Sequence, residues 1–243
     1  MPYEEGKAKG QQVETMFDSI APAYDLMNSC MSLGMHTHWR NLALKMAVDR
    51  LGHPPGRILD VATGTGDLVF ALHRRHPRAA ITGIDLSDGM LSLARRKLAE
   101  HEPPADPSQL RFMQADCMDM PFDDDTFDLV TVAYGVRNFE DTRRGYAEML
   151  RVLRPGGVLC VVELSEPTAW LPRMAYKAYT RGFIPVAGRL LSGDPRAYSY
   201  LHESIEAAPQ RAAMTGIMTE AGLRDASFRS VFPGAVCIYL GSK

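Results

Sequence analysis

Arg57-Ile58-Leu59-Asp60-Val61-Ala62-Thr63-Gly64-Thr65-Gly66-Asp67 is the stretch whose reading decides the fold. Ile58, Leu59 and Val61 form a short apolar run of the kind found in strands buried on both faces of a parallel sheet. Gly64 and Gly66 then permit a tight turn through dihedrals that a Cβ forbids. Leu68 to Leu72 can open a helix packed on the sheet. Strand, glycine turn and helix together leave backbone N–H groups free at the carboxyl edge of a sheet, where nucleotide-like ligands bind.

Working outward from this stretch, the chain alternates strand and helix, the signature of a doubly wound α/β sheet. Further strands are expected at Ala79 to Ile84, Leu110 to Gln114, Phe127 to Ala133 and Val158 to Glu163. Ser87 and Asp88 are candidate caps for a helix running to about Glu100. A helix from Gln210 to Ala221 and two strands, Ala226 to Val231 and Val236 to Leu240, close the chain. Before the sheet, Phe17, Ile20, Tyr24, Met27, Met31 and Met35 lie three and four apart, a helical stripe that Pro22 should break. Asn41 to Leu51 continues as an amphipathic helix ended by the breaker cluster Gly52 to Gly56. The expected organisation is one domain over 1–243. Residues 1–52 form a helical cap, 57–165 the cofactor-binding core, 166–208 a helical lid insertion and 209–243 the closing helix and strands.

Composition bounds the function. The chain has 243 residues, 46% hydrophobic and 23% charged, with net charge −2, so no basic footprint points to nucleic acid. Cys30, Cys117, Cys160 and Cys237 show no paired spacing and read as reduced thiols of a cytoplasmic protein, not a zinc site or disulfide framework. No apolar run approaches the roughly 18 residues that span a bilayer, and Met1 to Gln12 lacks the apolar core of a signal peptide.

The strand ends choose the ligand. Asp85 ends the second strand nineteen residues after Gly66, where an acidic side chain can accept both hydroxyls of a ribose. A dinucleotide fingerprint needs G-x-G-x-x-G, and Val69 stands at its third glycine. Asp67 would also repel a pyrophosphate, whereas beside a zwitterionic sulfonium-bearing methionine it is harmless or helpful. Asp116 can accept from an adenine amino group while the Cys117 N–H donates to a ring nitrogen. The expected cofactor is S-adenosylmethionine, in preference to NAD.

With those residues in place, the chain resembles the ubiquinone/menaquinone biosynthesis C-methyltransferases, the demethylmenaquinone methyltransferase group. Three blocks carry the likeness. They are Phe17-Asp18-Ser19-Ile20-Ala21-Pro22-Ala23-Tyr24-Asp25-Leu26-Met27-Asn28, continued by Met31 to His36 and Trp39-Arg40; Tyr134-Gly135-Val136-Arg137-Asn138; and Ser199 to Ile205 with Pro209-Gln210 behind it. The resemblance implies a class I methyltransferase fold, a Rossmann-like seven-stranded sheet with its last strand antiparallel and an N-terminal helical cap. It also implies carbon methylation of a polyprenylated quinol, demethylmenaquinol to menaquinol. The polyprenyl-methoxy-benzoquinol of the ubiquinone route is the alternative within the class, and an NAD-dependent oxidoreductase the alternative outside it.

The expected cofactor contacts are Gly64, Thr65, Gly66, Asp85, Asp116, Cys117 and Ala133, with no metal. Among the expected catalytic residues, Arg137 stabilises the developing phenolate, unless it pairs with nearby Glu140 or Asp141. Asn138 orients the second quinol oxygen or caps the next helix. Tyr24 folds over the cofactor with Asp25, helped by Asp18. His36 and His202 are candidate proton acceptors. Trp170, Tyr176, Tyr179, Phe183, Tyr198 and Tyr200 interleave with Arg173, Lys177, Arg181, Arg189 and Arg196, which suits either peripheral contact with the inner face of the cell membrane or a plain helical lid. A homodimer is compatible with the chain.

Overall fold

In the computed structural model of the chain, the described residues are 9–21, 24–100, 109–183 and 195–243, without the side chains of Cys30, Arg181, Phe183, His202 and residues 195–199. The organising element is a seven-stranded sheet. Its strands are β1 (Arg57–Val61), β2 (Ala80–Asp85), β3 (Leu110–Gln114), β4 (Phe127–Ala133), β5 (Leu153–Leu164), β6 (Arg224–Val231) and β7 (Val236–Ser242). Their order is β3-β2-β1-β4-β5-β7-β6. The first five pair in parallel, while β7 lies antiparallel between β5 and β6. β1 therefore sits beside β4 at the point where the strand order reverses, the place where open α/β sheets bind ligands.

The central strands are apolar on both faces because both are covered. Ile58, Ile81, Leu129 and Val158 point into one core with helix α3 (Met35–Leu51) and helix α4 (Asp67–Arg75). Leu59, Val61, Val130 and Val132 point into the other with α6 (Thr142–Val152) and α9 (Ala212–Glu220). That alternation is the period of two expected of a strand. Helix α5 (Asp88–Ala99) follows β2 and begins at Ser87, whose Oγ accepts the Met90 N–H at 3.0 Å.

Four helices lie above the carboxyl edge. Helix α1 (Lys9–Ile20) packs Val13 and Met16 against Tyr200 of α8 (Pro195–Ala207). Helix α2 (Tyr24–Ser32) packs Met27 against Tyr179 and Leu201. Helix α7 (Trp170–Ala178) runs into a π-turn, Tyr179–Phe183, at the lid. The cap and the lid therefore share small apolar clusters of their own.

Some expectations change. The break expected at Pro22 falls on residues 22 and 23, outside the described residues, but α1 ends at Ile20 and α2 starts at Tyr24. The sequence places 1–52 in a cap, whereas α3 buries Trp39, Ala43, Leu44, Ala47 and Leu51 against the sheet, so only α1 and α2 are cap. The fifth strand begins at Leu153, not Val158, because Leu153 pairs with Phe127 across a register shift. Arg189 lies outside the described residues, as do the side chains of Phe183, Tyr198, Arg181 and Arg196. Among the described residues no helix is long and apolar enough to cross a membrane, and no group of three metal-ligating side chains gathers. Cys117, Cys160 and Cys237 are buried free thiols.

Candidate active site

The carboxyl edge of β1 opens into two chambers with a common wall. The smaller is lined by Gly64, Ile84, Asp85, Ser87, Met90, Asp116 and Cys117. The larger, about 410 Å³, runs under the cap and lid and is lined mainly by apolar side chains such as Met16, Met27, Met31 and Leu164. Phe17, Tyr24, Ala62, Gly64, Ala133 and Tyr134 line both. A group bound in one chamber therefore meets a group bound in the other across Tyr24 and the ends of β1 and β4.

The smaller chamber carries two carboxylates, Asp85 and Asp116. Asp85 is fixed by the glycine turn itself: its Oδ2 accepts the Gly64 N–H at 2.8 Å and its Oδ1 the Ser87 N–H at 2.9 Å. Each oxygen keeps a further lone-pair direction, which is what a ribose diol requires. Burial raises its pKa, opposed by the backbone hydrogen bonds from Ser87, Gly64 and Leu86. Asp116 accepts the Met118 N–H at 2.8 Å, which aims the carboxylate at the chamber. Gly66 lines neither chamber; its φ of 81° and the Phe112 ring, 2.7 Å from where a Cβ would stand, explain the glycine by packing.

A charged latch ties the cap to the loop. The Thr65 hydroxyl donates to Asp25 at 2.7 Å, and Lys97 of α5 reaches Asp25 at 2.6 Å, Asp67 at 2.9 Å and the Thr65 oxygen at 3.0 Å. Arg40 adds a contact to Asp67 at 3.0 Å. Burial would raise the Asp67 pKa, but Lys97 and Arg40 outweigh it and hold the carboxyl below its ordinary value. Asp18 supplies a second tie, accepting the Ser87 hydroxyl at 2.5 Å and the Gly89 N–H at 3.1 Å. Asp25 thus meets the glycine turn through Thr65, Tyr24 lines both chambers, and Asp18 is held at the start of α5.

Arg137 lines the larger chamber, but its partner is neither Glu140 nor Asp141. Its Nη1 donates to Glu163 Oε1 at 2.9 Å and, in a short contact, to the Tyr134 carbonyl, while its Nε is buried with no partner among the described residues. Asn138 is separated from it: it lines the smaller chamber, and its Oδ1 accepts the Tyr200 hydroxyl at 3.1 Å. The cap of the following helix is Asp141, whose carboxylate accepts from Arg143 and Arg144. Tyr24 stacks edge-on against Phe17, and burial raises its pKa, so its phenol stays protonated. His36 lines the larger chamber beside Ser32, and burial with Arg40 nearby lowers its pKa, leaving a neutral imidazole at neutral pH.

Four participants were not legible. Glu163 sits twenty-six residues from Arg137, Lys97 thirty from Asp67, and Tyr134 appears in sequence only as part of a motif. Asp60, on the wall of the larger chamber, belongs to the opening stretch but reads there as an interruption of an apolar strand. It is 1% exposed, takes hydrogen bonds from the Thr131 and Thr63 hydroxyls at 2.6 and 2.7 Å, and burial raises its pKa to about 6.

A doubly wound sheet with antiparallel β7, a glycine turn, and acidic residues at consecutive strand ends define a class I S-adenosylmethionine-dependent methyltransferase. A phosphoethanolamine N-methyltransferase of Haemonchus contortus, solved with S-adenosyl-L-methionine, shares the fold at a TM-score of 0.59 and 14% identity, over 84% of this chain and 52% of that one. Within the class, the chain belongs to the ubiE/COQ5 methyltransferase family, whose sequence signature matches residues 5–243. It is similar to a demethylmenaquinone methyltransferase of Porphyromonas gingivalis, 42% identical over all of this chain and 97% of that protein. A ubiquinone/menaquinone biosynthesis C-methyltransferase of Pseudomonas putida is 37% identical over 97% of this chain and 90% of its own.

Proposed function

We propose that the chain methylates a ring carbon of a polyprenylated quinol with S-adenosylmethionine, converting demethylmenaquinol to menaquinol. The observation that carries the substrate side is the larger chamber: a mostly apolar cavity that shares a wall with the smaller one and is lined by Arg137, whose charge is held by Glu163. A drug-sized aromatic head fits such a volume, with few polar groups to orient it. The same family likeness and relatives' names support this reading, and those named for menaquinone favour the naphthoquinol over the benzoquinol.

When bound, S-adenosylmethionine supplies a methyl group on a sulfonium. Asp85 and Asp116 would hold its ribose and adenine, the Gly64 turn would accommodate its methionine, and Ala133 leaves room at the shared wall. The quinol carbon becomes nucleophilic as the neighbouring hydroxyl loses its proton; once methylated, that carbon sheds its own proton to restore the aromatic ring, and the donor would leave as a neutral thioether. Arg137 stabilises the resulting phenolate as a fixed donor, worth about 2.7–4 kcal/mol for one such group. His36, neutral at neutral pH, is placed to accept the proton, a contribution of about 10²–10⁴-fold. Tyr24 closes the chamber and excludes water, and holding carbon, methyl and sulfur in line supplies up to about 7–11 kcal/mol. Asn138 acts from the cofactor side, through Tyr200.

The finer proposal concerns the tail. Trp170, Leu171, Met174 and Leu33 are exposed, while Leu33, Pro172 and Ala175 line the cavity, so apolar surface continues outward from it. A prenyl tail resting in a bilayer could enter there. Flotation with anionic vesicles tests this, and no association with substrate-loaded vesicles would refute it. The test of the reaction is a methyl-transfer assay offering demethylmenaquinol and the benzoquinol analogue, with products identified by mass. Preferential methylation of the naphthoquinol is expected; tight NADH binding without binding of the methyl donor would overturn the reading.

A further inference from the structure

We infer that Glu163 is a positioning residue for methyl transfer, acting through Arg137; this rests on the reading that Arg137 faces the quinolate. Glu163 ends β5 and is 1% exposed. Its Oε2 accepts the Arg137 backbone N–H at 3.1 Å, and its Oε1 accepts Arg137 Nη1 at 2.9 Å and the Leu164 N–H at 2.9 Å. One carboxylate therefore grips the main chain and the side chain of the same arginine and ties both to the sheet. The Arg137 side chain is 7% exposed, and the Tyr134 carbonyl takes a second bond from Nη1.

The consequence is directional. An arginine free in a water-filled cleft samples many rotamers, and its charge is useful only in a few of them. Here the Nη1 corner is occupied by protein acceptors, in a side chain that lines the larger chamber, which fixes where the rest of the guanidinium stands. Glu163 thus sets the position from which the charge faces a ligand oxygen. It also lets a cation exist in a dry wall, where an unpaired charge would be expelled. Preorganised donors of this kind need no rearrangement as charge develops on the substrate.

The alternative is that Glu163 merely neutralises a buried arginine for stability. Full-length Glu163→Gln, Glu163→Asp, Arg137→Ala and the Glu163→Gln/Arg137→Ala double variant separate the two. S-adenosylmethionine affinity by calorimetry reports an intact donor site, and kcat and KM are measured with the quinol. For Glu163→Gln, kcat is expected to fall tenfold or more with donor affinity within twofold of the parent. Glu163→Asp, which keeps the charge but withdraws it by one methylene, should recover part of that loss. The double variant should be no slower than Arg137→Ala alone, because a residue acting through Arg137 has nothing left to position. Parental kcat in Glu163→Gln while Arg137→Ala is slow would overturn the inference, as would losses that multiply in the double variant. Parental kcat in Arg137→Ala would instead defeat the reading of Arg137 on which the inference rests. If Glu163→Gln loses its donor affinity through misfolding, Glu163→Asp decides by the same comparison, a parental kcat overturning the inference.

Discussion

Replacing Asp60 by asparagine is expected to make the chain more stable at pH 8 and poorer as a catalyst. The carboxyl is almost wholly enclosed, and burial raises its pKa to about 6, opposed by the Thr131 and Thr63 hydroxyls and assisted by Asp85. In the unfolded chain it titrates near 3.8. Keeping it ionised in the folded state therefore costs about 3 kcal/mol at pH 8, at about 1.4 kcal/mol per tenfold. The sign follows from linkage. An acid whose folded pKa is raised destabilises the fold above that pKa, and the penalty disappears as pH falls through about 6 towards 3.8. Asparagine has nearly the same shape and can still accept from one threonine and donate to the other. At about 2–4 °C per kcal/mol for a chain of this size, the variant should melt about 6–12 °C higher at pH 8. By pH 5 the difference should shrink to about half. Thermal unfolding of both proteins at pH 8 and pH 5 checks this. An equal Tm difference at the two pH values, or a less stable variant at pH 8, would show that Asp60 is not a buried strained anion. The activity half follows from position: the carboxylate lies on the wall of the larger chamber, the one read as the quinol's, so its loss should raise KM for the quinol.

Tyr134→Phe removes a buried hydroxyl that has no partner among the described residues, so the ligand-free chain should gain about 1 kcal/mol or more, read as a higher Tm; a lower Tm would mean that the hydroxyl is satisfied after all. Lys97→Met breaks contacts to Asp25, Asp67 and Thr65. Because the pair is partly exposed, global stability should change by less than about 1 kcal/mol, yet amide exchange in 24–32 and the donor Kd should both rise. Unchanged exchange in that helix would refute the latch. Gly66→Ala places a Cβ 2.7 Å from the Phe112 ring at φ 81° and should cost about 2 kcal/mol, measured in urea; an unchanged midpoint would count against the packing explanation.

What could be read from the sequence was what is local. The strand, turn and helix around Gly64, and the carboxylates closing β2 and β3, lie where a short window of residues dictates the backbone. Asp85 is aimed locally by Ser87, two residues on, while its second tie, to Gly64, comes from the turn after the adjoining strand. The partner of Arg137 was hidden for the opposite reason. Glu140 and Asp141 are near in the chain, but α6 carries Asp141 away as its cap, while β4 and β5 run side by side and deliver Glu163. Asn138 fell on the wrong side of the wall because one step along a tight 3-10 turn, Val136–Asn138, swings a side chain from one chamber to the other. The role of α3 was hidden for a similar reason. The helical stripe before it and the helix itself look alike in hydropathy, and only the sheet distinguishes a helix that covers it from one that caps the site.

The antiparallel strand β7 has a consequence for how the chain is made. It is the last strand in sequence but lies inside the sheet, hydrogen-bonded to β5 on one side and β6 on the other. Until residues 236–242 have left the ribosome, β6 has no place to dock and β5 presents an unpaired edge, the kind of edge that recruits other chains. Native pairing across that gap joins residues about eighty apart, so it forms late and slowly compared with the local strand-turn-helix units. Nascent chains stalled before residue 236 should therefore depend on chaperones far more than chains released a few residues later.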